Sequence, residues 1–127
     1  MTRKIIHTDN APAAIGPYSQ GNLAGGFLFT AGQIPLDPAT MEIVGRTAAE
    51  QAHQALMNAK AVVEGAGLTL DHVVKVTMFI RNMSEFGNIN EVYRGFFPED
   101  PPARSVVEVS RLPKDVLVEI EMVAYAG

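Results

Sequence analysis

Polar and apolar residues alternate along two segments near the C-terminal end of the chain, residues 102–109 and 116–123. A period of two is typical of a half-buried β-strand, because successive side chains point to opposite faces. Residues 110–115 form a short link that contains turn formers, which favours antiparallel pairing of the two strands. The pattern therefore predicts a hairpin, with Arg104 near the carboxylates of the second strand.

A helical period marks the middle of the chain. Thr47 and Glu50 have the spacing of a capping box, which opens a helix. Glycines at positions 65 and 67 mark the end of this helix. Between these signals, apolar residues recur at helical spacing and predict one buried face, formed by Ala52, Ala55, Leu56, Ala59, Val62, Val63 and Ala66.

A second helix is predicted after Ser84, a residue type that caps helices. Pro98, followed by two further prolines, stops this helix before the strand that contains Arg104. Its residues on one broad stripe are Phe86, Ile89, Asn90, Tyr93, Phe96 and Phe97.

Further strands are predicted over residues 27–31 and 73–80, which are rich in apolar and β-branched residues. The order of strands, helix, strand, helix and two strands predicts a single α+β domain over residues 1–127, with a mostly antiparallel sheet and two helices on one face. The terminal strands are nevertheless apolar on both faces. We therefore expect the uncovered face to bind further copies of the chain in a closed homo-oligomer.

The composition of the chain disfavours several classes of partner and of catalytic chemistry. The chain has a net charge of −4 and no cysteine, which disfavours nucleic acid and anionic membrane as partners and excludes thiol chemistry. The three histidines are scattered, and no phosphate-binding glycine motif is present. The N-terminal residues lack the apolar run of a signal peptide, and residues 73–80 are too short to cross a bilayer. We expect a cytoplasmic protein that uses no metal and no cofactor.

Arg104 and Glu119 are the first candidates for a functional site. A guanidinium held on a strand is a good fork for a small carboxylate. A structural ion pair at the edge of a sheet explains the same two residues equally well, so both interpretations stay open.

Three further residues could join that site. Tyr18 lies in a rigid loop after Pro17, where it presents a phenol to a ligand or covers the core. Gly32 follows a strand and lets a ligand approach backbone N–H groups. Asn90 interrupts the apolar stripe of the second helix, so its amide needs a partner, either a ligand or a neighbouring part of the protein.

The chain resembles the RidA (YjgF) family. The resemblance covers nearly the whole chain in register, and it rests on residues 11–20, 30–35, 90–93, 102–105 and 118–121. It implies a chorismate-mutase-like α+β fold with a six-stranded sheet, assembled as a homotrimer with sites between subunits.

The resemblance also implies an activity, the cofactor-independent hydrolysis of 2-iminobutanoate and 2-iminopropanoate to 2-oxo acids and ammonia. These imines and enamines are released by pyridoxal-phosphate-dependent dehydratases. Arg104 would then bind the substrate carboxylate and Glu119 would orient or activate water. Tyr18 would close the pocket from a neighbouring subunit, beside Asn90 and the backbone of Gly32.

The chain departs from many bacterial members at two positions. Ala31 stands where they have serine, and Val106 stands where they have cysteine. The backbone carbonyl of Val106 keeps any role that the cysteine carbonyl plays, whereas a thiol role is lost. These departures bear on substrate preference.

Two other functions are compatible with the same residues. A non-catalytic trimer could bind or sense 2-oxo acids or amino acids in the same pocket, although carboxylate binding needs only Arg104 and not Glu119. An endoribonuclease or translation inhibitor is a label attached to some relatives. The acidic balance of the chain argues against RNA binding.

Overall fold

The computed structural model describes residues 2–127 and contains one six-stranded sheet in the order β1-β2-β3-β6-β4-β5. Every neighbouring pair is antiparallel except β4 with β5, which is parallel. The predicted α+β class and mostly antiparallel sheet are therefore confirmed. The strands are β1 Lys4–Ile6, β2 Gly21–Ala24, β3 Phe27–Thr30, β4 Val73–Ile80, β5 Ala103–Glu108 and β6 Val118–Tyr125, and the helices are α1 Ala48–Gly65 and α2 Phe86–Phe96.

The capping box of α1 forms as predicted. The Glu50 backbone N–H donates to the Thr47 hydroxyl over 3.1 Å, and the Glu50 carboxylate accepts from the Thr47 backbone N–H over 3.1 Å. The apolar stripe of α1 then packs on the sheet, where alternate residues of β4 and β6 are buried. No helix within residues 2–127 has the length and apolar character needed to span a membrane.

The start of α2 differs from the prediction. Ser84 lies in a short 3-10 turn, Met83–Glu85, and donates its backbone N–H to the Asn82 side chain. The helix begins two residues later at Phe86, and its N-cap residue, Glu85, makes no side-chain capping bond. Asn82 therefore caps the turn that precedes the helix, because its amide oxygen lies within reach of the free N–H.

The predicted hairpin of β5 and β6 is wrong. β4 lies between them, parallel to β5 with Val76 opposite Arg104, and antiparallel to β6 with Phe79 opposite Glu119. The connection through α2 is long enough for the crossover that a parallel pair needs. β6 takes the central position because its alternate residues are fully buried, whereas β5 is largely exposed and ends the sheet.

This topology places Arg104 and Glu119 on opposite faces of the sheet. Arg104 shares the helix-covered face with Val76 and Met122, its neighbours across the ladder. Glu119 shares the other face with Phe79, since directly paired residues point the same way. The predicted proximity of the arginine to the Glu119 carboxylate within one hairpin is therefore corrected.

The face that carries Glu119 is not covered by a helix. Five of its large apolar side chains are exposed, namely Ile5, Phe27, Phe29, Val107 and Tyr125. We call this surface the open face. The expectation of an uncovered apolar sheet face is confirmed.

Candidate functional site

Arg104 is held against α2 by one hydrogen bond and two aromatic rings. Its Nη1 donates to the Asn90 Oδ1 over 2.8 Å. Its Cζ lies 4.6 Å from the ring centroid of Tyr93 and 5.4 Å from that of Phe86. Because these α2 residues stand at i, i+4 and i+7, they form one stripe, and the guanidinium lies along it. We call these four residues the Arg104 cluster.

No carboxylate neutralises Arg104 within the part of the chain that the structure describes, where the ion pairs join other residues. The cluster also borders a cavity of about 320 Å³, lined by Asn90, Tyr93, Arg94, Phe97, Pro101, Pro102 and Arg104. A positive charge with a fixed position and no acidic partner favours an anionic ligand. The alternative of a structural ion pair between Arg104 and Glu119 is not what the structure contains.

Glu119 forms a second group with Gly32 on the open face. An isolated bridge between Gln33 and Ile120 holds the segment after β3 beside β6, with backbone hydrogen bonds of 2.7 and 3.0 Å. The Glu119 carboxylate then lies so close to Gly32 that a methyl group on that glycine would overlap it. Burial, and secondly the charge of Glu121, raise the pKa of Glu119 above its ordinary value.

Replacing Gly32 with alanine is expected to turn the Glu119 carboxylate towards solvent. Its pKa should then fall towards the ordinary value, because burial is the larger cause of the shift. The free energy of unfolding should change by less than about 1 kcal/mol, since the end of a flexible side chain can move aside. A carboxyl NMR titration measures the pKa. Gly95→Ala is the control, because nothing lies within 4 Å of the added carbon, and an unchanged Glu119 pKa in Gly32→Ala contradicts the prediction.

Tyr18 shares a cavity of about 250 Å³ with Gly32. Its side chain is half exposed, and its hydroxyl accepts a hydrogen bond from the Ile15 N–H over 3.2 Å. Tyr18 therefore does not cover the core of its own chain and is free to contact a ligand. We call Tyr18, Gly32 and Glu119 the Glu119 cluster.

Gln20 fixes the loop that leads to Tyr18. Its side-chain amide donates to the carbonyl oxygens of Thr8, Ala11 and Pro12 over 3.0, 3.3 and 2.8 Å, and its Oε1 accepts from the Thr8 N–H over 2.7 Å. The residue is only 2% exposed. Four bonds from one buried amide thus hold residues 8–12 in place.

Val106 lies on β5, opposite Met78 and on the same face as Arg104. Because β5 ends the sheet, its outer edge pairs with no other strand of the described residues. Backbone N–H and C=O groups of β5 therefore remain available for hydrogen bonds along this edge. This is compatible with the expected role of the Val106 backbone carbonyl in the pocket.

The predicted site residues thus form two groups in one chain. Arg104 and Asn90 meet directly. Gly32 lies against Glu119 and shares a cavity with Tyr18, while Arg104 and Glu119 lie on opposite faces of the sheet. Sequence reasoning missed the contacts of Phe86 and Tyr93 with Arg104, although both residues lie on the predicted stripe of α2. No group of three or more metal-ligating side chains occurs within residues 2–127.

The fold and the two clusters define a small α+β protein with an unpaired arginine on one sheet face and a half-buried carboxyl on the other. Comparison with known proteins gives the family. The model described as endoribonuclease L-PSP matches residues 8–126. The chain belongs to this family, the RidA (YjgF) family, so the resemblance found in the sequence is confirmed.

Individual relatives cover almost the whole chain. A RutC family protein of Pyrococcus horikoshii is 55% identical over 97% of this chain and 98% of its own length. The 2-iminobutanoate/2-iminopropanoate deaminase of Escherichia coli K12 is 52% identical over 95% of this chain and 96% of its own. The crystal structure of the E. coli YjgF gene product superposes with a TM-score of 0.93 at 49% identity, covering 98% of this chain and 99% of that one. E. coli TdcF with bound serine gives 0.93 at 48% identity with the same coverage.

Proposed function

We propose that this protein hydrolyses reactive 2-imino acids, such as 2-iminobutanoate and 2-iminopropanoate, to 2-oxo acids and ammonia. The observation that carries the proposal is the Arg104 guanidinium, which is fixed by Asn90 and two rings and has no acidic partner in the described residues. Such a group suits the single carboxylate of a 2-imino acid. The deaminase name of the E. coli relative supports the same reaction.

Glu119 supplies the proton chemistry in this proposal. The water oxygen bonds to the carbon of the protonated imine, the π electrons of the C=N bond move to nitrogen, and Glu119 accepts a proton from that water, which gives a neutral tetrahedral carbinolamine. Glu119 then returns the proton to nitrogen. The C–N bond then breaks with its electron pair leaving on nitrogen as ammonia, while the hydroxyl gives its proton to Glu119 and the C=O bond forms. Glu119 passes this proton to the ammonia, and the products are a 2-oxo acid and ammonium. A carboxyl whose pKa is raised by burial is suited to both transfers.

Hydrolysis of an imine requires few functional groups from the protein. A protonated imine is already electrophilic, so positioning of substrate and water supplies most of the acceleration. The proposal therefore assigns no step to a metal or an organic cofactor. Asn90 sets the direction of the guanidinium, and the backbone of Gly32 and Val106 lines the pocket.

The two clusters lie on opposite faces, so a small imino acid cannot contact both within one chain. We propose that the site forms between subunits, with the Arg104 cluster from one copy and the Glu119 cluster from its neighbour. The exposed apolar residues of the open face give such copies a surface to bury. A closed ring of three subunits, as the family resemblance implies, would form three equivalent sites.

Light scattering is expected to give a solution mass of three times the chain mass of 13.7 kDa. Val107→Glu should lower this mass, because it places a charge among the exposed apolar side chains of the open face. Lys60→Glu, a substitution on α1, is the matched control and should leave the mass unchanged. A monomeric mass for the unmodified protein at micromolar concentration would refute the shared site.

A coupled assay tests the activity. A threonine dehydratase releases 2-iminobutanoate in the presence of semicarbazide, which traps the free imine. The protein should suppress semicarbazone formation while 2-oxobutanoate still accumulates. Unchanged trapping by the folded protein would overturn the proposal.

A non-catalytic ligand-binding protein is the second candidate, because the TdcF structure holds serine. The two functions differ in their need for Glu119. A binding protein would keep its affinity for 2-oxobutanoate in Glu119→Gln and would not change the rate of imine loss. Cleavage of RNA, suggested by the name of the family model, is disfavoured by the net charge of −4.

A further inference from the structure

Tyr93 is a core residue with one unexplained feature. Its side chain is 5% exposed and packs against Phe97, with the ring centroids 4.9 Å apart. Its hydroxyl is buried and has no hydrogen-bond partner in the described residues. The hydroxyl makes no hydrogen bond to the Arg104 guanidinium. The ring is the part that contacts Arg104.

The contact between the Tyr93 ring and Arg104 has the geometry of a cation–π pair. The guanidinium carbon lies 4.6 Å from the ring centroid, within the range of favourable interaction. Burial raises the pKa of Tyr93, and the smaller opposing effect comes from Arg104. The Tyr93 hydroxyl therefore stays protonated at physiological pH. The side chain is neutral and does not compensate the positive charge of Arg104, which remains available to a ligand.

Two contacts of different kinds then restrict the same guanidinium. The Tyr93 ring packs against the guanidinium carbon, and the Asn90 amide oxygen accepts the hydrogen bond from Nη1. Arginine has a long side chain whose rotamer freedom must be lost when it binds a ligand. A side chain that is already ordered in the free protein loses less conformational entropy when the ligand binds.

We propose that Tyr93 is a positioning residue that acts through Arg104, with its ring holding the guanidinium ready for the substrate carboxylate. This inference rests on the proposed function and goes beyond it, since Tyr93 itself touches no reacting atom. The hydroxyl has no part in it. Tyr93→Phe and Tyr93→Leu therefore form a matched pair, because the first keeps the ring and the second removes it.

Steady-state kinetics with 2-iminobutanoate and calorimetric binding of 2-oxobutanoate test the pair. Tyr93→Phe is expected to keep KM and Kd within twofold of wild type, because it keeps the ring that contacts Arg104. Tyr93→Leu should raise both KM and Kd about tenfold, with kcat changed less than threefold. Circular dichroism checks the fold, and Tyr93→Met supplies a second ring-free variant if the leucine variant is unstable.

A double-mutant cycle with Arg104→Lys separates positioning from a general packing effect. Lysine keeps the charge but has no plane to stack, so the penalty of Tyr93→Leu on Kd should shrink to less than threefold in that background. A full tenfold penalty there, or wild-type Kd in a folded ring-free variant, overturns the positioning role. Failure of the wild-type protein to bind or turn over either compound would instead overturn the proposed function.

Discussion

Arg104→Ala is expected to lower kcat/KM about 10³-fold in the coupled assay, because the substrate carboxylate loses its charge-assisted hydrogen bonds. The same change should cost only about 1 kcal/mol in the free energy of unfolding. Within its own chain Arg104 makes one side-chain hydrogen bond, to Asn90, and lies at the end of the sheet. Thermal unfolding of the variant gives the second quantity.

Arg94→Ala is the matched control for this experiment. Arg94 borders the same cavity, but it is exposed and contacts Glu91 over 3.5 Å. Loss of that surface pair should leave kcat/KM within about twofold and stability within about 0.5 kcal/mol. Equal activity of Arg104→Ala and Arg94→Ala would remove Arg104 from the site.

Glu119→Gln is expected to lower kcat about 10²- to 10³-fold, since a positioned general base contributes a factor of this size. It should also stabilise the folded protein at neutral pH. Folding raises the pKa of Glu119 above its ordinary value of 4.5, so ionisation opposes folding once the pH exceeds that value. The stability gain should be absent below about pH 4.5, increase as the pH rises towards the folded-state pKa, and stay constant above it.

Glu121→Gln offers the comparison for that prediction. Glu121 lies on the same face, and its charge is the second cause that raises the pKa of Glu119. Its removal should shift the acidic limb of the kcat profile to lower pH while the maximal rate stays within about threefold. A kcat for Glu119→Gln close to the wild-type value would show that water is activated by another group.

Local signals in the sequence were sufficient for much of the fold. The capping box of Thr47 and Glu50 and the apolar stripe of α1 involve residues that are close together in the chain. The local sequence pattern is therefore sufficient to predict both features. The strand Val73–Ile80 was predicted with its observed bounds, because it is long and β-branched. For the site, the family resemblance supplied candidate residues without their contacts.

The wrong predictions concern strand pairs and side-chain contacts between residues that are distant in the chain. Alternation shows that β5 and β6 are strands, but it does not show which strand each one pairs with. The short link predicts a hairpin, whereas β6 pairs with β3 and β4 in the interior of the sheet, where its alternate residues are fully buried. The contact of Glu119 with Gly32 likewise depends on how β3 and β6 meet, which no local pattern records.

The four hydrogen bonds of Gln20 bear on the thermodynamics of ligand capture. They immobilise residues 8–12 when the chain folds, so the segment that leads to Tyr18 is already anchored at Gln20 before any ligand arrives. A loop that became ordered only on binding would lose conformational entropy, and this loss would weaken the affinity for the ligand. A ligand as small as the proposed imino acid has few atoms to contribute contacts, so a pocket wall ordered before binding preserves more of its affinity.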